Sequence, residues 1–286
     1  MDYILDYLNY IKYERKLSSN TYQSYKYNLD VFYDYFKDDN IIKLDKNNIQ
    51  DFLYQLDLSS RSKAHYLTVI NSFYKYLVND NVIDKSPAEG IKMPKMPKTL
   101  PEYLSLEEVE KLLNIKLIKP HDYRNKAMLE VLYATGIRIS ELVNLKLFQI
   151  DFLDSEIRIM GKGKKERITP LNDMAIKYLK LYINDYRSFL LKEKKSEYVF
   201  INNLGNNISR QGFYKILKKL AKEGGVTKNI SPHILRHSFA THMLNNGADL
   251  RIIQEILGHE NLSTTEIYAK VHNKKIKEDY SNHPHS

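Results

Sequence analysis

The sequence contains no cysteine. That removes disulfides and thiolate metal sites, and it suits a cytoplasmic protein. No stretch reaches the roughly 18 consecutive apolar residues that a membrane-spanning helix needs. The opening "MDYILDYLNYIKYERK" alternates polar and apolar residues, unlike the apolar core of a secretory signal. A membrane partner is therefore not expected. No Walker-type glycine-rich loop, dinucleotide fingerprint or carboxylate cluster occurs. What is present is a chain of 286 residues that is 43% apolar, with 28% charged side chains. That suffices for packed cores in one large domain or two modest ones, and it argues against global disorder.

Charge is unevenly placed. The net charge is +9. Residues 1–98 hold 14 basic and 13 acidic side chains, and the remainder holds 30 and 22. A positive field concentrated in one part favours a polyanionic partner, because each phosphate contact releases counterions. A generally lysine-rich surface would account for the same numbers. The near-neutral first part needs a local basic face if it is to touch DNA, and Lys12, Arg15, Lys16, Arg61 and Lys63 are the candidates.

The first 80 or so residues read as helices. "SSNTYQSYKYNLDVFYDYF" begins with cap-type residues and sets Tyr22, Tyr25, Leu29, Phe32, Tyr33 and Phe36 three and four apart. "RSKAHYLTVINSFYKYLVND" does the same with Tyr66, Val69, Ile70, Phe73, Tyr74 and Leu77. These stripes fit core faces better than base-stacking platforms. "KSPAEGIKMPKMPKTLPEYLS" carries four prolines from Pro87 to Pro101, a density that reads as an extended linker. The expected layout is a helical domain over 1–86, a linker over 87–101 and a second domain over 102–286. Within the second, Ser105 and Glu108 make a capping box. "DYRNKAMLEVLYATGIRISELVNL" reads as helix broken at Gly136. "SEIRIMGKGKKERITPL" reads as a hairpin, with Ile157 and Ile159 alternating before a Gly-Lys turn. Asp173 to about Lys192 reads as helix, "EYVFIN" as a short strand or extended piece, and Ser209 to about Lys222 as a helix with a basic face that includes Arg210. Two further helices are expected near 249–257 and 262–271.

The segment "SPHILRHSFATHML", Ser231 to Leu244, packs three histidines and an arginine into one helix. Ser231 is a natural cap and Pro232 fits the first helical position. His233, Arg236 and His237 fall within a sector of roughly 100°. That face lies in the first turns, where backbone N–H groups favour anions, and arginine suits bidentate phosphate contact. A metal is the rival, since His233 and His237 stand four apart. The lack of cysteine, the Ile after His233 and the cation on the same face count against it. His242 lies nearly opposite His233, and a structural role suits His237 and His242 better than chemistry.

Order along the chain then matters. "ATGIRISEL" supplies Arg138, "GKGKKER" a hairpin lysine, "HILRH" His233 and Arg236, and "LGHENLSTTEIYAKV" His259 followed by Tyr268. This succession resembles the tyrosine recombinase (integrase) superfamily, whose signature is Arg, a hairpin Lys, His-x-x-Arg, a second His and a Tyr nucleophile. "LRHSFATHMLNNGADLRIIQEILGHENLSTTEIYAKV" resembles the Xer branch, and "ERKLSSNTYQSYKYNLDVFYDYF" resembles its helical core-binding domain. The likeness spans essentially the whole chain. Each motif alone is weak in a chain with 23 tyrosines; their joint order is specific.

The resemblance implies a mainly α fold, with a SAM-like core-binding domain and a mostly helical catalytic domain holding a small antiparallel hairpin sheet. It implies a phosphodiester attacked by Tyr268, giving a 3′-phosphotyrosyl link and a free 5′-hydroxyl. Arg138 and Arg236 would clamp the phosphate, His233 would accept a proton near the nucleophile, and His259 would donate a hydrogen bond to the phosphate. The family pattern sets the catalytic lysine between two glycines, which is Lys162, the acid for the leaving oxygen. Lys164 and Lys165 would then be solvated or phosphate-contacting. Glu141 matches a carboxylate that orients the site in relatives. No cofactor or metal is implied. The implied partner is double-stranded DNA with a short inverted-repeat core site, bound by a homotetramer or by a heterotetramer with a sister recombinase, with activation by a DNA translocase as a further expectation. Residues 273–286 would dock on a neighbouring subunit through Ile276 and Tyr280. The length, with no added arm-binding domain, leans toward chromosome or plasmid dimer resolution. Integration or resolution for a mobile element, and a catalytically silent DNA-binding module, are the alternatives.

Overall fold

The computed structural model describes residues 2–92, 102–160 and 166–258. The chain forms two compact units, Met1–Thr99 and Leu100–Ser286.

The first unit is built from four helices, α1 (Asp2–Asn9), α2 (Ser19–Tyr35), α3 (Lys46–Gln55) and α4 (Ser60–Asn79). Their starts follow from cap chemistry. Ser18, Asp45 and Ser59 each accept a backbone N–H three residues on, which satisfies a donor that the helix cannot. The apolar stripes meet inside. Leu29 and Phe32 of α2, Ile49 and Phe52 of α3, and all six stripe residues of α4 are buried. Phe32 packs edge-on against Phe52 at 5.2 Å and Tyr74 at 6.3 Å, the offset geometry that ring quadrupoles favour. Buried tyrosines need a partner for the hydroxyl. Tyr74 donates to the Ile41 carbonyl at 2.7 Å and Tyr7 to Ser72 at 2.7 Å. Burial pushes the Tyr7 phenol up to about 12. After α1 the chain widens into a π-helical turn, Tyr10–Glu14.

The start of the proline-rich stretch is not extended. Residues 87–90 form a turn, and Ala88 is fully buried in the first unit's core. An alanine between Pro87 and a glycine two residues on can tuck into that core, which composition alone did not reveal. The later part of the linker, 93–101, lies outside the described residues.

The second unit is organised around one helix. After α5 (Leu106–Leu113), α6 runs from Pro120 to Thr135, and every residue from Arg124 to Thr135 is buried. A helix hydrophobic on one side only could not sit there; this one carries its charges inward with partners. Lys126 pairs with Glu130 at 2.6 Å and donates to the Leu113 carbonyl at 2.7 Å. Arg124 donates to the Ile201 carbonyl at 2.9 Å. α6 ends at Gly136 in the left-handed conformation, φ +58°. A Cβ there would meet Phe239 at 2.5 Å and Leu257 at 2.8 Å, so only glycine fits. The short α7 (Ile139–Val143) follows.

The hairpin strands are β2 (Glu156–Met160) and β3 (Glu166–Pro170), antiparallel with Ile159 opposite Arg167. The sheet has a further short strand, β1 (Ile150–Asp151), paired to β2. Two residues are too few to leave an alternating pattern, so the sequence did not announce it. The remaining elements are α8 (Asp173–Leu181), α9 (Arg187–Leu191), α10 (Arg210–Glu223), α11 (Pro232–Asn245) and α12 (Leu250–Leu257). The expected single helix over 173–192 is split by a π-helical turn at Tyr182–Tyr186. The segment "EYVFIN", expected as a short strand or extended piece, holds two isolated bridges rather than a strand, Lys146 with Tyr198 and Ile201 with Asn207. Phe200 and Val199 are fully buried there, so the segment reads apolar because it packs, not because it joins a sheet. No helix among the described residues is long and apolar enough to cross a membrane.

Candidate active site

Three elements bring the cationic residues together. Arg138 is the N-cap of α7, straight after the glycine break that ends α6. Arg236 lies in the second turn of α11, which Ser231 caps by accepting from Ile234 N. The third element is the C-terminal end of α12, where Gly258 is left-handed at φ +67°.

Arg236 reaches across from α11. It donates to the Gly136 carbonyl at 2.6 Å and to the Leu257 carbonyl at 2.6 Å. Burial lowers its guanidinium pKa to about 10, helped by the nearby positive charges of Arg138 and Arg167 and opposed by Glu141. It remains a cation at neutral pH. Arg138 donates to Glu141 Oε1 at 3.1 Å and to the Gly258 carbonyl at 3.1 Å, while its side chain stays 42% exposed. Outward donors on a fixed guanidinium are what an incoming phosphate can use.

Glu141 is 11% exposed. It accepts from the Arg138 backbone N–H at 2.7 Å, as a capping-box carboxylate should. It also accepts two bonds from Arg167, at 3.0 and 2.6 Å. Burial alone would raise its pKa. The Arg167 bonds, the Arg138 N–H and the arginine charges outweigh that and hold it below the usual carboxylate range. Glu141 is thus an anion shared by two arginines.

Arg167 is the residue that sequence reasoning missed, and the signal for it was in the hairpin. Ile157 and Ile159 face inward, and the strand register sets Arg167 directly opposite Ile159. Opposed residues share a face, so Arg167 had to point inward and needed a buried partner.

The three histidines of α11 separate. His233 is exposed. His237 is half-buried and sits edge-on to Tyr103 at 6.3 Å. His242 is buried, with Nδ1 and the Tyr133 hydroxyl sharing a 2.8 Å hydrogen bond. Burial lowers its pKa, against a hydrogen bond with the Leu104 backbone. Among the described residues no group of three His, Asp or Glu side chains is placed to hold a metal ion.

Five residues of the expected catalytic machinery or its hairpin, Lys162, Lys164, Lys165, His259 and Tyr268, lie outside the described residues, as do the helix expected near 262–271 and the tail 273–286. His259 follows directly on Gly258, so the described site ends where that part of the sequence begins.

In the first unit, Lys12, Arg15, Lys16 and Arg61 are exposed, and Lys63 donates to the Tyr54 carbonyl at 3.1 Å. Lys12 lies over the Tyr22 ring at 5.7 Å. Half a turn along α2, Ser24 meets His65 Nε2 of α4 at 3.0 Å. α2 therefore links the two basic ends. Arg210 is exposed at the start of α10.

A phage integrase family model matches residues 102–275, and a phage integrase N-terminal SAM-like domain model matches residues 4–81. The chain belongs to the phage integrase family. Tyrosine recombinase XerD of Oceanobacillus iheyensis is 43% identical over 98% of this chain and 98% of that protein. The XerD of Staphylococcus epidermidis is 40% identical over 98% of each. Among solved structures, the XerH recombinase bound to a palindromic difH substrate in a post-cleavage complex covers 93% of this chain and 81% of its own. It is 26% identical, with a TM-score of 0.70. This phage integrase family member is a tyrosine-type site-specific recombinase. Its mainly helical architecture with a small antiparallel sheet is the fold of those relatives.

Proposed function

We propose that this recombinase cuts and rejoins DNA through a 3′-phosphotyrosyl intermediate, and that it exchanges strands between two duplexes through a Holliday junction. The observation that carries the reading is the fixed pair Arg138 and Arg236, anchored on the same helix end immediately before His259. Attack on a phosphodiester builds negative charge on the non-bridging oxygens of a five-coordinate transition state. Cations already locked in place stabilise that charge without reorganising.

In this reading the Tyr268 oxygen attacks phosphorus and the bond to the 5′-oxygen breaks. The phenol proton passes to His233. Lys162 supplies a proton to the leaving 5′-oxygen. His259 donates a hydrogen bond to the phosphate. The phosphotyrosine conserves the bond energy, so a free 5′-hydroxyl from the partner duplex can reverse the step. No metal or nucleotide enters. A core-binding domain (residues 1–86), a linker (87–101) and a catalytic domain (102–286) clamp a short inverted-repeat site. Lys12, Arg15, Lys16, Arg61, Lys63, Lys164 and Arg210 contact backbone phosphates. Residues 273–286 dock on a neighbouring protomer of a tetramer, alone or with a sister recombinase and under the control of a DNA translocase. The role is chromosome or plasmid dimer resolution and segregation in the cytoplasm.

The test begins by recovering the DNA that the protein protects from fragmented genomic DNA. That site, nicked next to the scissile phosphate, is then incubated with the protein in EDTA. A covalent protein–DNA adduct that Tyr268→Phe abolishes is the expected result. Binding without an adduct would leave a silent DNA-binding module, and cleavage abolished by EDTA would point to a metal hydrolase.

A further inference from the structure

Three arginines from three different elements cap three consecutive carbonyls at the end of α12. Arg167 of β3 donates Nε to Ile256 O at 3.0 Å, Arg236 of α11 donates to Leu257 O at 2.6 Å, and Arg138 donates to Gly258 O at 3.1 Å. The last carbonyls of a helix have no partner within it and carry the negative end of its dipole. A cation on each is a favourable arrangement. It also means that the two arginines proposed to hold the phosphate share their anchor with a third.

The third differs from the other two in what its donors do. Arg167 has an 11% exposed side chain. Its Nη1 and Nη2 both bond Glu141, and its Nε bonds Ile256 O. Both ends of its fork and its Nε are committed to protein acceptors. The Arg138 guanidinium touches the same carboxylate through one nitrogen, beside the bond from the Arg138 backbone N–H, and the side chain stays 42% exposed. Glu141 is therefore divided. Arg167 holds it with two bonds from inside, and the Arg138 guanidinium takes a single bond from outside.

We propose that Arg167 is a positioning residue for strand cleavage: by holding Glu141 from the inside and the α12 terminus through Ile256 O, it fixes the Arg138 and Arg236 guanidinium groups where a phosphate meets them. The inference rests on the proposed cleavage reaction. Without Arg167, the Glu141 carboxylate has only Arg138 to neutralise it, so it draws that guanidinium inward and spends the donors meant for the phosphate. The α12 end also loses one of its three tethers, which loosens Leu257 O under Arg236. Lysine cannot substitute, because a single ammonium cannot supply a planar fork together with a third donor at a fixed angle. The fit is tight as well: a methyl on Gly258 would stand 3.2 Å from Cδ, Nε and Cζ of Arg167.

The test uses the full chain on its protected site in nicked form, comparing wild type, Arg167→Met, Arg167→Lys, Glu141→Gln and the double variant Arg167→Met with Glu141→Gln. Two quantities are read: the rate of covalent adduct formation at saturating protein, and the protein concentration that gives half-maximal adduct. Arg167→Met and Arg167→Lys are expected to slow the saturated rate at least tenfold, with the half-maximal concentration within threefold of wild type. In the double variant the rate is expected to fall less than threefold below that of Arg167→Met alone, because both changes act through one route. A saturated rate within threefold of wild type for Arg167→Lys would overturn the proposal. So would losses that multiply in the double variant, or a half-maximal concentration that rises in step with the loss of rate. Arg167→Lys retains the charge and the hydrocarbon stem; should both Arg167 variants fail to fold, Arg167 serves folding only and the proposal falls. A wild-type protein that forms no adduct would reject the cleavage reaction itself, a result separable from all of these.

Discussion

The two units solve the problem of their interiors differently. Among the described residues, the first unit buries one polar side chain, Asn28, inside a core of aromatic and aliphatic groups. The second buries Arg124, Lys126, Glu130, Glu156 and Arg187, with His242 and several neutral polar groups beside them. Charge in the first unit stays outside, as in the exposed pair of Lys26 with Asp30 at 2.6 Å. The difference fits the demands on each. A surface that meets DNA from outside needs only a rigid apolar scaffold behind it. A cluster that must hold cations still, at a distance set by a phosphate, needs them anchored in a low-dielectric interior where each bond counts for more. The interior of the second unit thus carries charged groups within an apolar core, and backbone carbonyls anchor Arg124, Arg187 and Arg236.

The sharpest way to break that comparison is to remove one buried cation and one exposed one. Lys126→Met breaks the buried ion pair with Glu130 and is expected to cost about 3–5 kcal/mol in urea unfolding. Lys26→Ala, in the surface pair, is expected to leave the unfolding midpoint unchanged. Equal losses would mean that the two interiors do not differ in how they hold charge. Next in size is Arg236→Gln. Adduct formation is expected to fall by ~10²–10³, while gel-shift affinity for the same DNA changes by only a few fold. A loss confined to affinity would move Arg236 from the chemistry to binding. Gly136→Ala follows, expected to cost about 1–3 kcal/mol by calorimetry, because its methyl meets the Phe239 ring and the backbone is left-handed. It should also slow cleavage, since Gly136 O is an anchor of Arg236.

The smallest expected effect concerns His242. Its folded-state pKa lies below the ordinary histidine value, because burial disfavours the charged ring. The unfolded chain therefore takes up a proton first. The stability that this group contributes is complete above about pH 6.5 and is lost as pH falls through the folded value. His242→Gln should flatten the dependence of Tm on pH between 7 and 5. An unchanged slope would assign it to other groups.

Much of the fold was legible. Ser18, Ser105 and Ser231 each announced a helix start by a short side chain ahead of an apolar stripe, and each caps one. The stripe of α4 was readable to the residue, because a helix with one wet face must repeat every three to four positions. The π-helical turn at Tyr182–Tyr186 and the two-residue strand β1 were not, since neither leaves a period of its own. Nor was the burial of Ala88. In the candidate site, Arg236 could be picked out on the capped helix that carries it, while Arg138 and Glu141 were legible through the resemblance to the tyrosine recombinases. Arg167 was passed over because it looks like one more cation in "GKGKKER".

The sequence by itself determined where helices begin, which faces they bury and the order in which the chemistry-bearing residues follow one another. Those are local matters, set by caps, periodicity and turn residues within a few positions of each other. Only the tertiary structure decided that three arginines from a strand, a loop-to-helix junction and a helix meet at the carbonyl end of a fourth element. That meeting joins residues 89 to 120 positions apart for Arg167 and Arg138, and only 21 apart for Arg236. No local preference encodes it. It exists because those carbonyls are unsatisfied once α12 ends, and burial makes an unsatisfied carbonyl too costly to leave alone.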